Sequence, residues 1–382
     1  MTAVYVCTDP GVPAFGAKGC SVHVQEVLRE LLRRHRSVHL ITTRPGGDPP
    51  AGLAGVVVHP LPRPAGADAA EREEAQRTAD AGAAVVLGRL CAAYRVRLVY
   101  QRYALWSAAT LEAARRLDVP SVLEINAPLL AEQATYRALV DADEAARHTH
   151  RLIRAADAPF AVSGPVARWA STMDPRGRSI PVIGNGVDVT RFLPVPVRET
   201  AEPVVVFSGT FKPWHGLDLL VDAVAAAGTP LRLLLIGDGP ERAATCMRAA
   251  AAGVPVTATG QVTPAEVPAL LCGADLAAAP YPGGEHYFSP LKIAEYLAAG
   301  LPTVASAIAD VPALVTNETE ALLVPPGDVT ATAAALGRLG RDVALRARLA
   351  HAGRRVAETR LSWAAVVDAT LGLLGTRTAG VA

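Results

Sequence analysis

The residues best suited to chemistry lie at the start of one short predicted helix near residue 290. Ser289 is a favoured N-cap residue, Pro290 suits the first helical position, and a glycine followed by a proline closes the pattern. A helix start carries unpaired backbone N–H groups and the positive end of the helix dipole, so it binds anions without a metal. We therefore predict a diphosphate site formed by Ser289, Pro290, Leu291 and Lys292.

A carboxylate follows within the same helix. Lys292 and Glu295 are three residues apart and therefore share a helix face. Beside a bound phosphate, Glu295 could accept hydrogen bonds from two ribose hydroxyls. The alternative interpretation is an ion pair between neighbouring side chains on an ordinary capped helix.

The composition predicts a soluble globular protein. Hydrophobic residues make up 51% of the 382 residues, and at the usual domain size of roughly 150 residues this length suggests two domains. The 37 Lys and Arg residues nearly balance the 36 Asp and Glu residues, which argues against a nucleic-acid-binding protein. Scattered cysteines without a C-x-x-C pair, no signal peptide and no long apolar run predict a reduced, cytoplasmic protein.

Short runs rich in β-branched residues alternate with longer helical stretches along the chain. This alternation is typical of βα units on a parallel sheet, and it starts again after Asn185. We therefore predict an α/β protein with two doubly wound parallel sheets: a first domain at 1–187, a second at 188–360, and a helical tail at 361–382 that crosses back to the first domain. The predicted strands are Val4–Cys7, Val38–Thr42, Val56–Val58, Leu98–Tyr100, Ser121–Ile125, Phe160–Val162, Val204–Phe207, Leu231–Ile236, Pro255–Thr259, Leu276–Pro280 and Thr303–Ser306.

Three motifs, taken in order, resemble those of glycosyltransferase family 4, also called glycosyl transferases group 1. The segment from Asn185 to Phe192 is similar to the family's Asn-Gly-Val-Asp-x-x-x-Phe stretch, and a strand followed by Gly237 is similar to its Gly-x-Gly-Pro turn. The stretch from Glu295 to Ser306 is similar to its donor-site block. The resemblance implies the GT-B fold, in which two Rossmann-like domains face each other across a cleft. It also implies sugar transfer with retention at the anomeric carbon, with the nucleotide-sugar donor on the second domain and the acceptor on the first.

The donor site departs from the family pattern at three positions. The first Glu of the family's Glu-x7-Glu motif falls on Tyr287, so only Glu295 carries over. The family's diphosphate-binding Arg and Lys fall on Thr210 and His215. We expect Lys212 and His215 to replace them as catalytic cations that stabilise the leaving diphosphate. The alternative is that His215 closes a turn and Lys212 is solvated.

Backbone groups are expected to make further donor contacts. Gly209 begins the loop that lacks the family's Arg and Lys, and Gln261 and Val262 follow a strand where relatives hold the nucleobase through backbone groups. In the first domain, the resemblance places Gly16 and Gly19 in a glycine-rich loop that touches the diphosphate. The alternative is a plain βα loop.

The acceptor is expected at strand ends of the first domain. Many relatives carry a histidine where Asn126 falls, next to the reacting sugar, and we expect the Asn126 amide to hydrogen-bond that sugar as a catalytic-site residue. The alternative is that the polar residues at these strand ends are structural. The predicted acceptor-binding residues are Asp9, Lys18, Arg102, Tyr103, Glu124 and Asn126.

These features predict a retaining glycosyltransferase that needs neither a metal nor another cofactor, since no Asp-x-Asp or other metal cluster lies near the donor site. A UDP-sugar is the favoured donor, and a small soluble acceptor, as in antibiotic or other natural-product biosynthesis, is the favoured acceptor. The alternatives are a non-catalytic nucleotide-sugar-binding protein and a GT-B-like nucleotide-sugar epimerase. The basic helix at 27–36 is expected to face solvent rather than a membrane, and the sequence leaves the oligomeric state open.

Overall fold

The computed structural model describes residues 1–136, 139–284 and 291–375. They belong to two compact units, of which the first comprises Met1–Asn185 and Val366–Ala382 and the second Gly186–Ala365. The chain therefore leaves the first unit after Asn185 and returns to it at Val366.

The first unit is built on a six-stranded parallel sheet with the strand order β3-β2-β1-β4-β5-β6. Its strands are β1 (Thr2–Cys7), β2 (Ser37–Thr42), β3 (Val56–Pro60), β4 (Val96–Arg102), β5 (Ser121–Ile125) and β6 (Ala158–Ala161). Its helices are α1 (Gly19–Arg34), α2 (Ala69–Ala93), α3 (Ala108–Arg116), α4 (Leu129–Tyr136), α5 (Ala142–Ala155) and α6 (Gly164–Thr172), joined at the end of the chain by α14 (Trp363–Gly375).

The second unit repeats this plan, with the strand order β12-β11-β10-β7-β8-β9. Its strands are β7 (Val204–Ser208), β8 (Arg232–Ile236), β9 (Val256–Ala258), β10 (Leu276–Ala279), β11 (Thr303–Ser306) and β12 (Leu322–Val324). Its helices are α7 (Leu217–Ala225), α8 (Arg242–Ala251), α9 (Val267–Leu271), α10 (Leu291–Ala298), α11 (Val311–Leu314), α12 (Val329–Arg341) and α13 (Val343–Val356).

The predicted fold class of two doubly wound parallel sheets is confirmed. Every predicted strand overlaps an observed one, because strands covered by helices on both faces are continuous apolar runs that stand out in a sequence. All six residues of β1 are buried, for example. The strand β12, which is three residues long, was not predicted. Within the described residues, no helix has the length and apolar character needed to cross a bilayer.

Two carboxylates of α2 hold the starts of two other helices in the first unit. The Asp80 carboxylate accepts hydrogen bonds from the Ala109 N–H at 2.6 Å and the Thr110 hydroxyl at 3.2 Å, at the start of α3. The Glu73 carboxylate accepts one from the Val140 N–H at 2.8 Å, just before α5. The Asp80 contact satisfies an N–H group that the start of α3 leaves without an internal partner, and the Glu73 contact holds the residue that precedes the N-cap of α5.

We expect Asp80→Ala to lower the free energy of unfolding by about 1–3 kcal/mol, because it leaves the first N–H groups of α3 without an acceptor in a buried position. Urea unfolding measures the loss. Glu74→Ala on the same helix is the matched control, since its exposed ion pair with Arg77 contributes at most about 1 kcal/mol. Equal losses in the two variants would contradict this role for Asp80.

Candidate functional site

Each sheet has one position where ligands are expected from topology alone. In the first sheet, β1 and β4 are neighbours, but the strand that follows β1 lies on one side of this pair and the strand that follows β4 lies on the other side. The neighbours β7 and β10 in the second sheet have the same arrangement. Open α/β sheets bind ligands in the crevice outside the carboxyl ends of two such strands. The two units therefore each offer a candidate site, and the predicted site residues cluster at these strand ends.

In the second unit, Lys292 lies against the ends of β7 and β10. Its ammonium donates a hydrogen bond to the Tyr281 hydroxyl at 3.1 Å and lies 5.0 Å from the ring centre of Phe207. A Cβ added to Gly209 would be 3.8 Å from Nζ, so the ammonium lies close to the loop that follows β7.

The Lys292 ammonium has no carboxylate partner within ion-pair distance among the described residues. Burial lowers the pKa of Lys292 to about 7, although the Glu295 charge opposes this shift. A buried cation without an anionic partner is costly in a folded protein. An anion bound next to Lys292 would remove this energetic cost.

Glu295 lies one turn further along α10 and is also partly buried. Burial raises the pKa of its carboxyl to about 7, against the opposing charges of Lys292 and Arg191. The side chain has no hydrogen-bond partner within the described part of the chain. Both ends of this pair can therefore accept a ligand: an anion at Lys292 and a donor such as a hydroxyl at Glu295.

The loops after β7 and β8 approach each other closely through glycines. Gly237 has φ +128°, and a Cβ there would lie 2.1 Å from the Gly209 carbonyl oxygen. The Gly237 N–H donates to the Thr259 hydroxyl at 3.1 Å. Only glycine allows this contact, so Gly237 fixes the position of the Gly209 loop.

The cations expected to replace the family's Arg and Lys lie near Gly209 with different partners. His215 closes a short 3₁₀ turn, and its Nδ1 contacts the carbonyl oxygen of the exposed Thr210. A carbonyl only accepts, so Nδ1 carries the proton, and in neutral imidazole Nε2 is then an acceptor. Lys212 lies 5.8 Å from the ring centre of Trp214, which is 48% exposed. Among the described residues, Lys292 is thus the lysine best enclosed for an anion.

The other residues predicted for the donor site differ in their exposure to solvent. Gln261 is exposed, Val262 packs against the hydrophobic core, and Leu291 is 41% exposed. Ser289 and Pro290 lie outside the described residues, as does Tyr287. In the described ranges, no three or more His, Cys, Asp or Glu side chains are grouped to hold a metal ion.

In the first unit, the glycine-rich loop after β1 is held by α1. The Gln25 amide donates to the carbonyl oxygens of Ala14 at 3.2 Å and Gly16 at 2.9 Å. A Cβ on Gly16 would lie 2.7 Å from the Pro13 side chain, so this glycine is required by its own loop. The sequence analysis did not identify Gln25.

The remaining predicted residues of this loop face solvent or hold the loop itself. Lys18 and Gly19 are exposed at the start of α1. The Asp9 carboxylate accepts a hydrogen bond from the Gly11 N–H at 2.7 Å. These residues frame the end of β1 without forming a buried site of their own.

Glu124, at the end of β5, is the centre of a buried polar cluster. Its carboxylate accepts hydrogen bonds from the Tyr100 hydroxyl at 2.6 Å, Arg102 at 3.2 Å and the Asn126 amide at 2.5 Å. His23 Nε2 lies 2.7 Å from the same carboxylate. Burial alone would raise the pKa of Glu124, but His23, Arg102 and Tyr100 together hold it at about 2. Glu124 is 1% exposed, and its predicted contact with the acceptor is not tested by these distances.

Two further side chains of this region, Tyr103 and His23, make contacts that were not predicted. Tyr103 is 2% exposed, and its hydroxyl shares a 3.0 Å hydrogen bond with Thr149 on α5. The Tyr103 side chain therefore packs into the core, and its contact with the acceptor stays a prediction. His23 was missed; the only signal for it is a histidine on the apolar face of α1, which a sequence pattern cannot separate from a core residue.

Two family models match most of the chain between them. Glycosyltransferase Family 4 matches residues 17–191, and Glycosyl transferases group 1 matches residues 202–342.

The chain is also similar to curated mannosyltransferases. It is 32% identical over 219 residues to a phosphatidyl-myo-inositol mannosyltransferase of Mycobacterium leprae, which covers 55% of this chain and 56% of the relative. It is 31% identical over 278 residues to a GDP-mannose-dependent alpha-mannosyltransferase of Mycobacterium tuberculosis, which covers 69% and 68%. The chain thus spans little more than half the length of the first relative.

A solved structure has the same fold over the whole chain. The Anabaena HepE protein in complex with UDP and glucose aligns with a TM-score of 0.65, covering 99% of this chain and all of that one at 17% identity. At this identity the likeness shows the fold, which is the GT-B fold that the sequence resemblance implied.

Proposed function

Because the chain belongs to glycosyltransferase family 4, we propose that it moves a sugar from a nucleoside diphosphate sugar to an acceptor alcohol, with retention at the anomeric carbon. One observation carries the donor site: Lys292 and Glu295 lie one turn apart on α10, and their charges interact. Within the described residues, the ammonium makes no close ion pair and the carboxyl has no hydrogen-bond donor. A nucleoside diphosphate supplies both missing groups, since its phosphates are anionic and its ribose has two neighbouring hydroxyls.

In the proposed reaction, the bond between the anomeric carbon and the diphosphate oxygen breaks, and the acceptor oxygen bonds to the same face of that carbon. The acceptor proton passes to a diphosphate oxygen, and negative charge develops on the leaving group. Lys292 stabilises that charge from a partly buried position, where such an interaction is stronger than in water. This arrangement needs no metal.

The donor base and the acceptor are further parts of the proposal. The Mycobacterium tuberculosis relative is named for GDP-mannose, and the HepE structure holds UDP, so both bases are candidates. The sequence favoured UDP, and backbone contacts near Val262 would not separate the two. We propose a small soluble acceptor, such as an intermediate of antibiotic biosynthesis, as the first class to screen.

The first experiment is isothermal titration calorimetry with UDP, GDP, dTDP and ADP, each with magnesium and with EDTA. Trp214 is the one strongly exposed tryptophan among the described residues, so its fluorescence gives a second signal on the loop that follows β7. We expect one diphosphate to bind selectively, and equally well in EDTA. Binding of none by folded protein would contradict the donor site, and binding only with magnesium would contradict metal independence.

Turnover separates the proposal from its two alternatives. An epimerase would convert the matching nucleotide sugar without an acceptor, whereas a non-catalytic binding protein would bind it and transfer to none of the acceptors screened. Proton NMR of the product reports whether the anomeric configuration is retained.

We expect Glu295→Ala to weaken nucleoside diphosphate binding by about 10-fold to 100-fold, because two ribose hydroxyls lose a charged acceptor. Inorganic pyrophosphate, which has no ribose, serves as the internal control and is expected to bind the variant as it binds the wild type. Calorimetry measures both. Equal losses for nucleotide and pyrophosphate would place Glu295 at the phosphates or in the fold rather than at the ribose.

A further inference from the structure

The first unit contains a buried hydrogen-bond acceptor atom that plays no part in the proposed nucleotide-sugar site. Asn126 follows β5, and its Nδ2 donates to Glu124 Oε1 at 2.5 Å. The Asn126 Oδ1 atom is buried and has no hydrogen-bond partner among the described residues. Buried side-chain acceptors are nearly always paired in native proteins, so this oxygen requires an explanation.

The orientation of the Asn126 amide follows from Glu124. The Glu124 carboxylate is held ionised by His23, Arg102 and Tyr100, so it can only accept hydrogen bonds. The Asn126 group that faces it must therefore be the NH₂ group, because the flipped amide would place two oxygens in contact. Asn126 consequently presents its carbonyl oxygen away from Glu124.

The position of this oxygen also points to a ligand. Asn126 directly follows the carboxyl end of β5, which is the neighbour of β4 in the sheet, and β4 with β1 marks the expected binding position. An acceptor with no donor at such a place suits a ligand O–H group. A water molecule could satisfy the atom equally well in the absence of ligand, and the test below separates the two.

We propose that Glu124 is a positioning residue that locks the Asn126 amide so that its carbonyl oxygen accepts a hydrogen bond from a hydroxyl of a sugar or polyol. This inference rests on the proposed function for the class of ligand. It differs from a simple polar contact at Asn126 because it fixes which end of the amide meets the ligand. A ligand group that only accepts hydrogen bonds should be rejected there.

Asn126→Asp tests the orientation through pH. The new carboxyl would lie against Glu124, and two carboxylates in contact share a proton. Because His23, Arg102 and Tyr100 keep Glu124 ionised, the shared proton lies on the new carboxyl at position 126. This protonated carboxyl donates a hydrogen bond to Glu124, and its carbonyl oxygen remains available to the ligand. At higher pH that group ionises, is repelled by Glu124 and loses the orientation.

The measurement is saturation-transfer NMR with a panel of unmodified monosaccharides and inositol, at pH 5.5 and pH 8, on wild type, Asn126→Asp and Asn126→Leu. We expect wild type to bind one panel member at both values and Asn126→Leu to lose about tenfold in affinity at both. Asn126→Asp should bind like wild type at pH 5.5 and like Asn126→Leu at pH 8. Unfolding midpoints in the same buffers control for damage to the fold.

Three results would overturn the inference: no sugar bound by wild type, wild-type binding by Asn126→Leu, or equal loss at both pH values in Asn126→Asp. The last result would mean that the amide NH₂ or a water, not the carbonyl oxygen, occupies this position. Nucleoside diphosphate titrations of the same samples report on the proposed function separately. If those fail while the sugars behave as expected, the donor site is wrong and the role of Asn126 stands.

Discussion

Replacing Lys292 with methionine is expected to weaken nucleoside diphosphate binding by between about 30-fold and about 1,000-fold. The ammonium is enclosed by Phe207 and Tyr281 and has no acidic partner within the described residues, so a bound diphosphate is its expected counter-ion. Methionine keeps much of the side-chain volume and removes the charge together with the hydrogen bond to the Tyr281 hydroxyl. The ligand-free variant should be at least as stable as wild type, since it no longer buries an unpaired cation.

Calorimetry with the diphosphate that binds wild type measures this loss, and thermal unfolding without ligand checks the fold. Arg338→Met is the matched control, because Arg338 pairs with Glu318 on the surface of the same unit. Lys212→Met makes the comparison sharper, since Lys212 was expected at the diphosphate together with Lys292. A larger loss in Lys212→Met than in Lys292→Met would return the phosphate contact to the loop after β7.

Nucleoside diphosphate affinity is also expected to fall as pH rises above 7, by up to about tenfold per pH unit. Burial lowers the pKa of Lys292 to about 7 in the empty site, and a bound diphosphate raises it again. The binding form is the protonated one. Affinity is therefore fully present below pH 7 and declines above it, until the pH passes the pKa of the bound state.

Proton uptake gives an independent measure of this linkage. At pH 8 binding should take up nearly one proton, which calorimetry detects in buffers of different ionisation enthalpy. Titrations between pH 7 and pH 9 avoid ionisation of the terminal phosphate, whose pKa is about 6. The other groups near the ammonium are Glu295, Tyr281 and His215. Lys292→Met should show neither the uptake nor the slope; a slope that survives in this variant would assign it to one of those groups.

The parts of the site that the sequence predicted are those set by local spacing. Lys292 and Glu295 share a face of α10 as their spacing required, and the helix ends before Gly300, whose φ is +64°. Such features depend on residues a few positions apart. For the same reason the strands of both sheets could be predicted from short apolar runs.

The parts that could not be predicted depend on residues far apart in the chain. Lys292 acquires its enclosure from Phe207 on β7 and Tyr281 after β10, and nothing in the spacing links these three residues. Tyr103 looked like a residue at the open end of β4, but α5 brings Thr149 to its hydroxyl. His23 on α1 meets Glu124 on β5 only because the fold brings together two residues that are about a hundred positions apart in the chain. Each of these contacts is decided by packing between elements rather than by a local pattern.

The low pKa of Lys292 also has a chemical consequence. Near neutral pH, about half of an amine with a pKa near 7 carries a lone pair, whereas an ordinary lysine is almost entirely protonated. The chain contains three lysines, Lys18, Lys212 and Lys292. Lys292 should therefore be the lysine that amine-directed acylating reagents modify most readily at neutral pH, and a bound diphosphate, by restoring its proton, should protect it.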